Sequence, residues 1–285
     1  MTEQNFLDNL VGVFGHPVAE NPTVVILDAA FKDLGLERWH FLTIDVDTEK
    51  LGDAIAGLKA MKMKGVNCTI PHKIDVLKYL DEISPSAKLI GAVNTIVNKD
   101  GKLYGDNTDG KGFMESLRSE NIDPKGKRIV ILGAGGASRA ISVEMALSGA
   151  EHITIVNIHE KKAMSLVELL RNKTEAKADY VPWTESYKIP KDCDILINAT
   201  PIGLYPNVND KPDIDYSTIR SDMFVQDVIP NPPQTPFLDE AVKRGAKYNT
   251  GMGMLINQAA INIKMWTGKE PNKEVMTKAY KKIIG

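Results

Sequence analysis

Cysteine is scarce in this chain of 285 residues, which holds only Cys68 and Cys193. Two such distant thiols exclude a disulfide framework and a cysteine-ligated zinc site, and point to a reducing compartment. Aromatic residues make up 6% of the sequence, and nowhere do they interleave with a basic tract, which excludes a nucleic-acid surface. An excess of either charge is missing too: 35 Lys and Arg against 37 Asp and Glu leave a formal net charge of −2. No apolar run is long enough to span a bilayer. The opening residues 1–8 lack the basic and apolar regions of a signal peptide. There is no internal repeat and no low-complexity segment. What remains is a cytoplasmic, soluble protein with neither a membrane nor a nucleic-acid partner.

What is present is a 43% hydrophobic fraction, enough for real cores, in a length that suits two modest domains. The centre of the chain is the stretch from Arg128 to Ile141. Ile129-Val-Ile-Leu132 reads as a short buried strand, Gly133-Ala-Gly-Gly136 as a tight turn, and the residues from Ala137 onward as a helix. Glycines permit that turn and let a phosphate approach the main chain. The helix start aims its free N–H groups and its positive dipole end at the same point. A dinucleotide pyrophosphate is the natural ligand.

Around this centre, strands and helices alternate, which predicts an α/β fold with parallel pairing. Before the glycine turn, strands are expected at Leu10–Phe14, Trp39–Asp45 and Gly65–Ile70, with helices at Val24–Leu34, Thr48–Met61 and Lys73–Leu80. Asn21 and Pro22 are cap and first-turn residues for the first of these helices. Lys99-Asp-Gly101 marks a hairpin. The break Asn121-Ile-Asp-Pro-Lys-Gly126 suggests a boundary, giving a substrate domain of residues 1–120 and a doubly wound nucleotide domain of residues 121–253. Two closing helices, Met254–Trp266 and Asn272–Ile284, follow. The ribose of a bound dinucleotide is read about 20 residues past the glycines. Asn157-Ile-His-Glu-Lys-Lys162 stands there without an arginine, and Glu160 is a candidate ribose acceptor. Lys161 and Lys162 are the weaker phosphate alternative. This balance favours NAD over NADP.

Three patches carry groups able to do chemistry: Asn67-Cys-Thr-Ile-Pro-His-Lys73, Ala92-Val-Asn94 and Asn107-Thr-Asp109. Lys73 and Asp109 form a candidate acid–base couple. Hydride reduction of a carbonyl leaves an alkoxide, and a lysine ammonium near a carboxylate can protonate it and be reset. His72 has no second histidine at metal spacing and reads as packing or surface. Cys68, out of phase with Asn67 and Thr69, reads as buried.

Taken together with Asn198-Ala-Thr-Pro-Ile-Gly203, Thr235-Pro-Phe-Leu238 and Gly253-Met-Leu-Ile-Asn-Gln258, these patches resemble the shikimate dehydrogenase family over nearly the whole chain. The resemblance implies interconversion of 3-dehydroshikimate and shikimate, or of 3-dehydroquinate and quinate, in aromatic biosynthesis or quinate use, by a monomer or homodimer. It places the catalytic pair at Lys73 and Asp109. It puts substrate contacts at Asn67, Thr69, Asn94 and Gln258, and the nicotinamide near Ala199, Thr200 and Gly251 to Met254. Gly133, Ala134, Gly135, Gly136, Ala137 and Asn157 complete the cofactor set. The C-terminal helices, by the same resemblance, return to the N-terminal domain and close a cleft. Four positions depart from the family. Its two carboxylate-holding serines are Asn21 and Thr23 here, its Asp-x-x-Tyr tyrosine is Pro230, and the arginine that reads the NADP phosphate is Ile158. The alternatives are a paralogue for another cyclic polyol acid, or a dinucleotide-binding sensor without catalysis.

Overall fold

The computed structural model describes residues 6–284. Residues 1–5, part of the stretch read above for a leader sequence, lie outside the described residues. The chain divides into two compact units, one of residues 1–108 with 259–285 and one of residues 109–258.

In the first unit β1 (Asn9–Gly15), α1 (Thr23–Asp33), β2 (Trp39–Asp45), α2 (Leu51–Ala60), β3 (Gly65–Cys68) and α3 (His72–Asp75) follow one another. Then come β4 (Glu82–Ile83), α4 (Pro85–Ile90), β5 (Thr95–Lys99) and β6 (Lys102–Asp106). The sheet order is β2-β1-β3-β5-β6-β4. β1 pairs in parallel with β2 and β3, but β5 runs antiparallel to both β3 and β6, so the sheet is mixed. The hairpin closes in the register Lys99↔Lys102. Asp100 (φ 52°) and Gly101 (φ 90°) are both left-handed, the backbone that a two-residue turn needs to match strand twist. α4 escapes a periodicity reading because it is too short. Its ends are nonetheless marked: Ser84 accepts the Ala87 N–H at 3.2 Å, Pro85 opens the helix, and Gly91 closes it at φ 73°. The helix expected at Lys73–Leu80 is broken into α3 and a 3₁₀ turn at Val76–Tyr79. β3 stops at Cys68, because the next residue turns its N–H to Phe14 O (2.9 Å) and Pro71 follows.

The second unit carries α5 (Thr108–Ser119), whose first residue is counted with the first unit, β7 (Arg128–Leu132), α6 (Gly136–Leu147), β8 (His152–Asn157), α7 (Glu160–Lys173) and β9 (Lys177–Pro182). It continues with β10 (Ile195–Asn198), β11 (Phe224–Asp227), α8 (Pro236–Lys243), β12 (Lys247–Asn249) and the start of α9 (Gly251–Thr267). All its strands are parallel, in the order β12-β11-β10-β7-β8-β9. Read from β7, that is the doubly wound dinucleotide order, with the chain reversing direction across the sheet between β7 and β10. Ile129, Val130, Ile131 and Leu132 are all buried, as a strand covered on both faces requires.

α9 ends in the first unit, and α10 (Lys273–Ile284) follows it. α10 packs on α1. The Trp266 indole donates to Ile96 O at 2.9 Å. Gly65 makes room for that ring: a Cβ there would stand 2.4 Å from Trp266 Nε1. Among the described residues no helix is long and apolar enough to cross a membrane.

Candidate active site

In the first unit the polar groups gather where β3 and β5 meet. Asn67 donates through Nδ2 to Asn94 O (3.1 Å) and Thr95 Oγ1 (3.0 Å). Its Oδ1 is buried and has no hydrogen-bond partner, an unsatisfied acceptor beside the Asn94 cluster. Thr95 and Thr108 hydroxyls lie between two carbonyl oxygens, Asn94 Oδ1 (3.0 and 3.1 Å) and Asn262 Oδ1 (2.8 and 2.8 Å). Two protons and two acceptors balance, which makes the cluster rigid. Asn94 Oδ1 also accepts the Thr108 N–H at 2.7 Å and thereby sets where α5 begins. The next residue in the chain is Asp109, the first of the second unit.

Lys73 sits in the first turn of α3, and its carbonyl accepts the Val93 N–H at 2.8 Å. Thr69 lies against Gly15, where an added Cβ would come within 2.4 Å of its methyl. Asn21 is half-buried, and its Oδ1 accepts the Thr23 N–H at 3.0 Å. Its carbonyl end is therefore spent on the start of α1. Thr23 is buried. His72 is a packing residue: fully buried, with Nε2 2.7 Å from Val46 O. Cys68 is buried too, and burial pushes its thiol up to about 12. Nothing in the sequence pattern singled out His16. It stands after the end of β1, and its Nδ1 lies 2.8 Å from Asp45 Oδ1 at the end of β2. That contact raises its affinity for a proton. The position just beyond parallel strand ends, where ligands bind, was the signal available.

The second unit holds a cavity of about 680 Å³ over the carboxyl ends of its strands. Gly133, Ala134 and Gly135 line it, with Asn157 from β8 and Ala199 and Thr200 after β10. Gly133 is held at φ 101°, and a Cβ there would stand 2.9 Å from Ala199 O. Only glycine fits that turn. Ser138 Oγ donates to Gly133 O (2.7 Å) and ties α6 to it. The helix begins at Gly136, so its free N–H groups open beside the cavity-lining Gly135. At the tip of β8 the wall is Ile158, His159 and Lys162. Asn157 is buried and braces this turn by donating to His159 O at 2.9 Å. Gly136, Ala137, Glu160, Gly251 and Met254 do not line the cavity. Gly251 is instead pressed on the Ile229 carbonyl, 2.3 Å from a hypothetical Cβ. Gln258 closes the second unit's sequence, half-buried on α9. The far wall, missed from sequence, comes from Trp183 to Glu185 and from Lys211 and Asp213. Trp183 Nε1 donates to Asp213 O at 2.9 Å, joining those two segments.

A doubly wound parallel sheet with a glycine turn, a helix start and a cavity of this size defines a dinucleotide-dependent oxidoreductase. The chain belongs to the shikimate dehydrogenase family. It matches the shikimate dehydrogenase substrate binding domain over residues 13–96, the shikimate/quinate 5-dehydrogenase model over 116–206, and the shikimate 5′-dehydrogenase C-terminal domain over 251–279. It is 43% identical over 274 residues to a shikimate dehydrogenase (NADP(+)) of Methanopyrus kandleri, covering 95% of this chain and 94% of that one. Among solved structures, the 5-ketofructose reductase of Gluconobacter sp. strain CHM43 is 46% identical, with a TM-score of 0.94, covering 98% of this chain and 100% of that one. The shikimate 5-dehydrogenase of Listeria monocytogenes, in complex with shikimate and NAD, is 32% identical with a TM-score of 0.90, covering 96% and 98%. The NAD preference read from the sequence finds no support in the relatives named for NADP.

Proposed function

We propose that the chain is an NADP-linked dehydrogenase interconverting 3-dehydroshikimate and shikimate, with quinate as the related substrate. The observation that carries the reading is the unsatisfied, buried Oδ1 of Asn67 beside the Asn94 cluster, which a ring hydroxyl would satisfy. A bound NADPH supplies the hydride. The chain supplies the proton: Lys73 gives it to the alkoxide oxygen as the carbonyl is reduced, and the lysine regains a proton from solvent, its ammonium form favoured by the Asp109 carboxylate. Asn67, Thr69, Asn94 and Gln258 orient the polyol. The cavity fits the dinucleotide through its glycine turn and helix start. Lys162 and His159, cavity-lining and close to the ribose position, support the extra phosphate of NADP, whereas Glu160 lies outside the wall. Replacing the exposed cavity residue Ile158 by arginine should raise the preference for NADP over NAD.

A second reading has its own support. The family's carboxylate-holding serines are Asn21 and Thr23, and the Asn21 carbonyl is committed to the helix start. A 46% identical relative is named for reduction of 5-ketofructose, a polyhydroxy ketone without a carboxylate. Initial rates separate the two. Shikimate and quinate oxidation, and 3-dehydroshikimate and 5-ketofructose reduction, are each measured with both dinucleotides. A kcat/KM highest for the shikimate pair with NADP upholds the first reading, and one highest for 5-ketofructose replaces it with the second. Faster turnover with NAD overturns the role given to Lys162.

A further inference from the structure

Asp227, the last residue of β11, has no exposed surface and no part in the proton transfer described above. The groups that hold its carboxylate all donate to it: Thr235 Oγ1 at 2.7 Å, the Ile229 N–H at 3.1 Å and Asn198 Nδ2 at 3.2 Å. Asn198, fully buried at the end of the neighbouring strand β10, passes the constraint on. Its Oδ1 accepts both the Thr200 N–H (3.1 Å) and the Thr200 hydroxyl (2.7 Å). Thr200 lines the dinucleotide cavity, and its methyl stands 3.0 Å from where a Cβ on Gly133 would lie. A run of contacts thus leads from the buried carboxylate to the glycine turn.

The chemistry of the run explains why a carboxylate stands at its root. A side-chain amide has a donating end and an accepting end of nearly the same shape, and either could face a neutral neighbour. An ionised carboxylate accepts only. With the longer contact to the Ile202 carbonyl (3.4 Å), it selects the NH₂ end of Asn198, which leaves the carbonyl end facing Thr200. The second oxygen of Asp227 holds the Thr235 hydroxyl, which also receives the Leu238 N–H (3.4 Å) at the start of α8.

We propose that Asp227 is a positioning residue for the dinucleotide: by fixing the orientation of Asn198 it holds Thr200 at the cavity wall in the place the cofactor contacts. The proposal rests on the cavity being the dinucleotide site. The expense of burial is visible in Asp227 itself, whose carboxyl is pushed up to about 6 against the pull of its donors.

The test is calorimetric titration of NADP together with steady-state kinetics, on the whole protein, for wild type, Asp227→Asn, Thr200→Val and the double variant. Wild type that binds no NADP overturns the reading of the cavity and with it this proposal. With binding established, Asp227→Asn should raise Kd and KM for NADP about tenfold, the worth of one well-placed contact. At saturation kcat should stay within about threefold. The double variant should be no worse than the weaker-binding single one, because both act through one contact. Unchanged Kd in Asp227→Asn, a lowered melting temperature as its sole effect, or effects that multiply in the double variant would each overturn the proposal. Should Asp227→Asn not fold, Asn198→Ser cuts the same run one link nearer the cofactor. The proposal then stands if that variant raises KM tenfold and falls if it leaves KM unchanged.

Discussion

The two sheets solve the same problem, placing polar groups at strand ends, by different means. In the second unit the strands are all parallel, and at the glycine turn the cavity is bounded by backbone, with Ile158, Lys162 and Trp183 among its other walls. In the first unit the sheet is mixed, and the groups offered to a ligand are side chains held by other side chains, Asn67 by Thr95 and Asn94 by Thr108. A backbone site tolerates sequence change except where a side chain would fill it. A side-chain site depends on every partner in the network.

That contrast can be broken at either end. The largest effect is expected at Lys73→Ala, which should lower kcat about 10³-fold while leaving NADP affinity intact. A variant that kept most of its kcat would remove Lys73 from the chemistry. Next, Asn262→Ala strips an acceptor shared by Thr95 and Thr108. A loss of about 2–3 kcal/mol in denaturant unfolding is expected, and an unchanged midpoint would show that the network is not rigid. Gly133→Ala tests the backbone site. With φ at 101° and Ala199 O 2.9 Å from the new carbon, strain of about 1–3 kcal/mol should appear in both stability and NADP binding. Lys162→Ala should cost roughly tenfold in KM for NADP and little for NAD. Equal losses for both dinucleotides would place the lysine away from the extra phosphate.

The smallest effect is expected at Glu240. Glu240 binds Arg244, Lys211 and Lys243, and these partners hold its carboxyl down to about 2 from an ordinary 4.5. A depressed carboxyl stabilises the fold above its unfolded value and ceases to do so as pH falls through the folded one. Glu240→Gln should therefore lower the melting temperature at neutral pH, by the equivalent of about 1 kcal/mol. The gap to wild type should shrink between about pH 4.5 and 2 and vanish below it.

What was legible in the sequence follows from the same contrast. Gly133 and the β7 run carry their physics in adjacent residues, and the structure has them where the pattern put them. The Asp100-Gly101 turn is of the same kind. The Asn262 contribution to the Asn94 cluster joins residues more than a hundred positions apart, and no local pattern announces it. The same holds for the far wall at Trp183 and Asp213, which the loops after β9 and β10 supply. α4 was lost to its shortness and the α3 break to its two-part geometry, while the antiparallel β3–β5 pair ended a run that alternation alone read as parallel.

The Trp266–Ile96 bond has a consequence for the order in which the protein is made. Residues 109–258 are one uninterrupted stretch and hold their whole sheet, so this part can assemble as soon as it leaves the ribosome. The earlier-synthesised β1–β6 sheet lacks Trp266, Asn262 and the helix against α1 until residues 259–285 emerge. What is translated first is completed last.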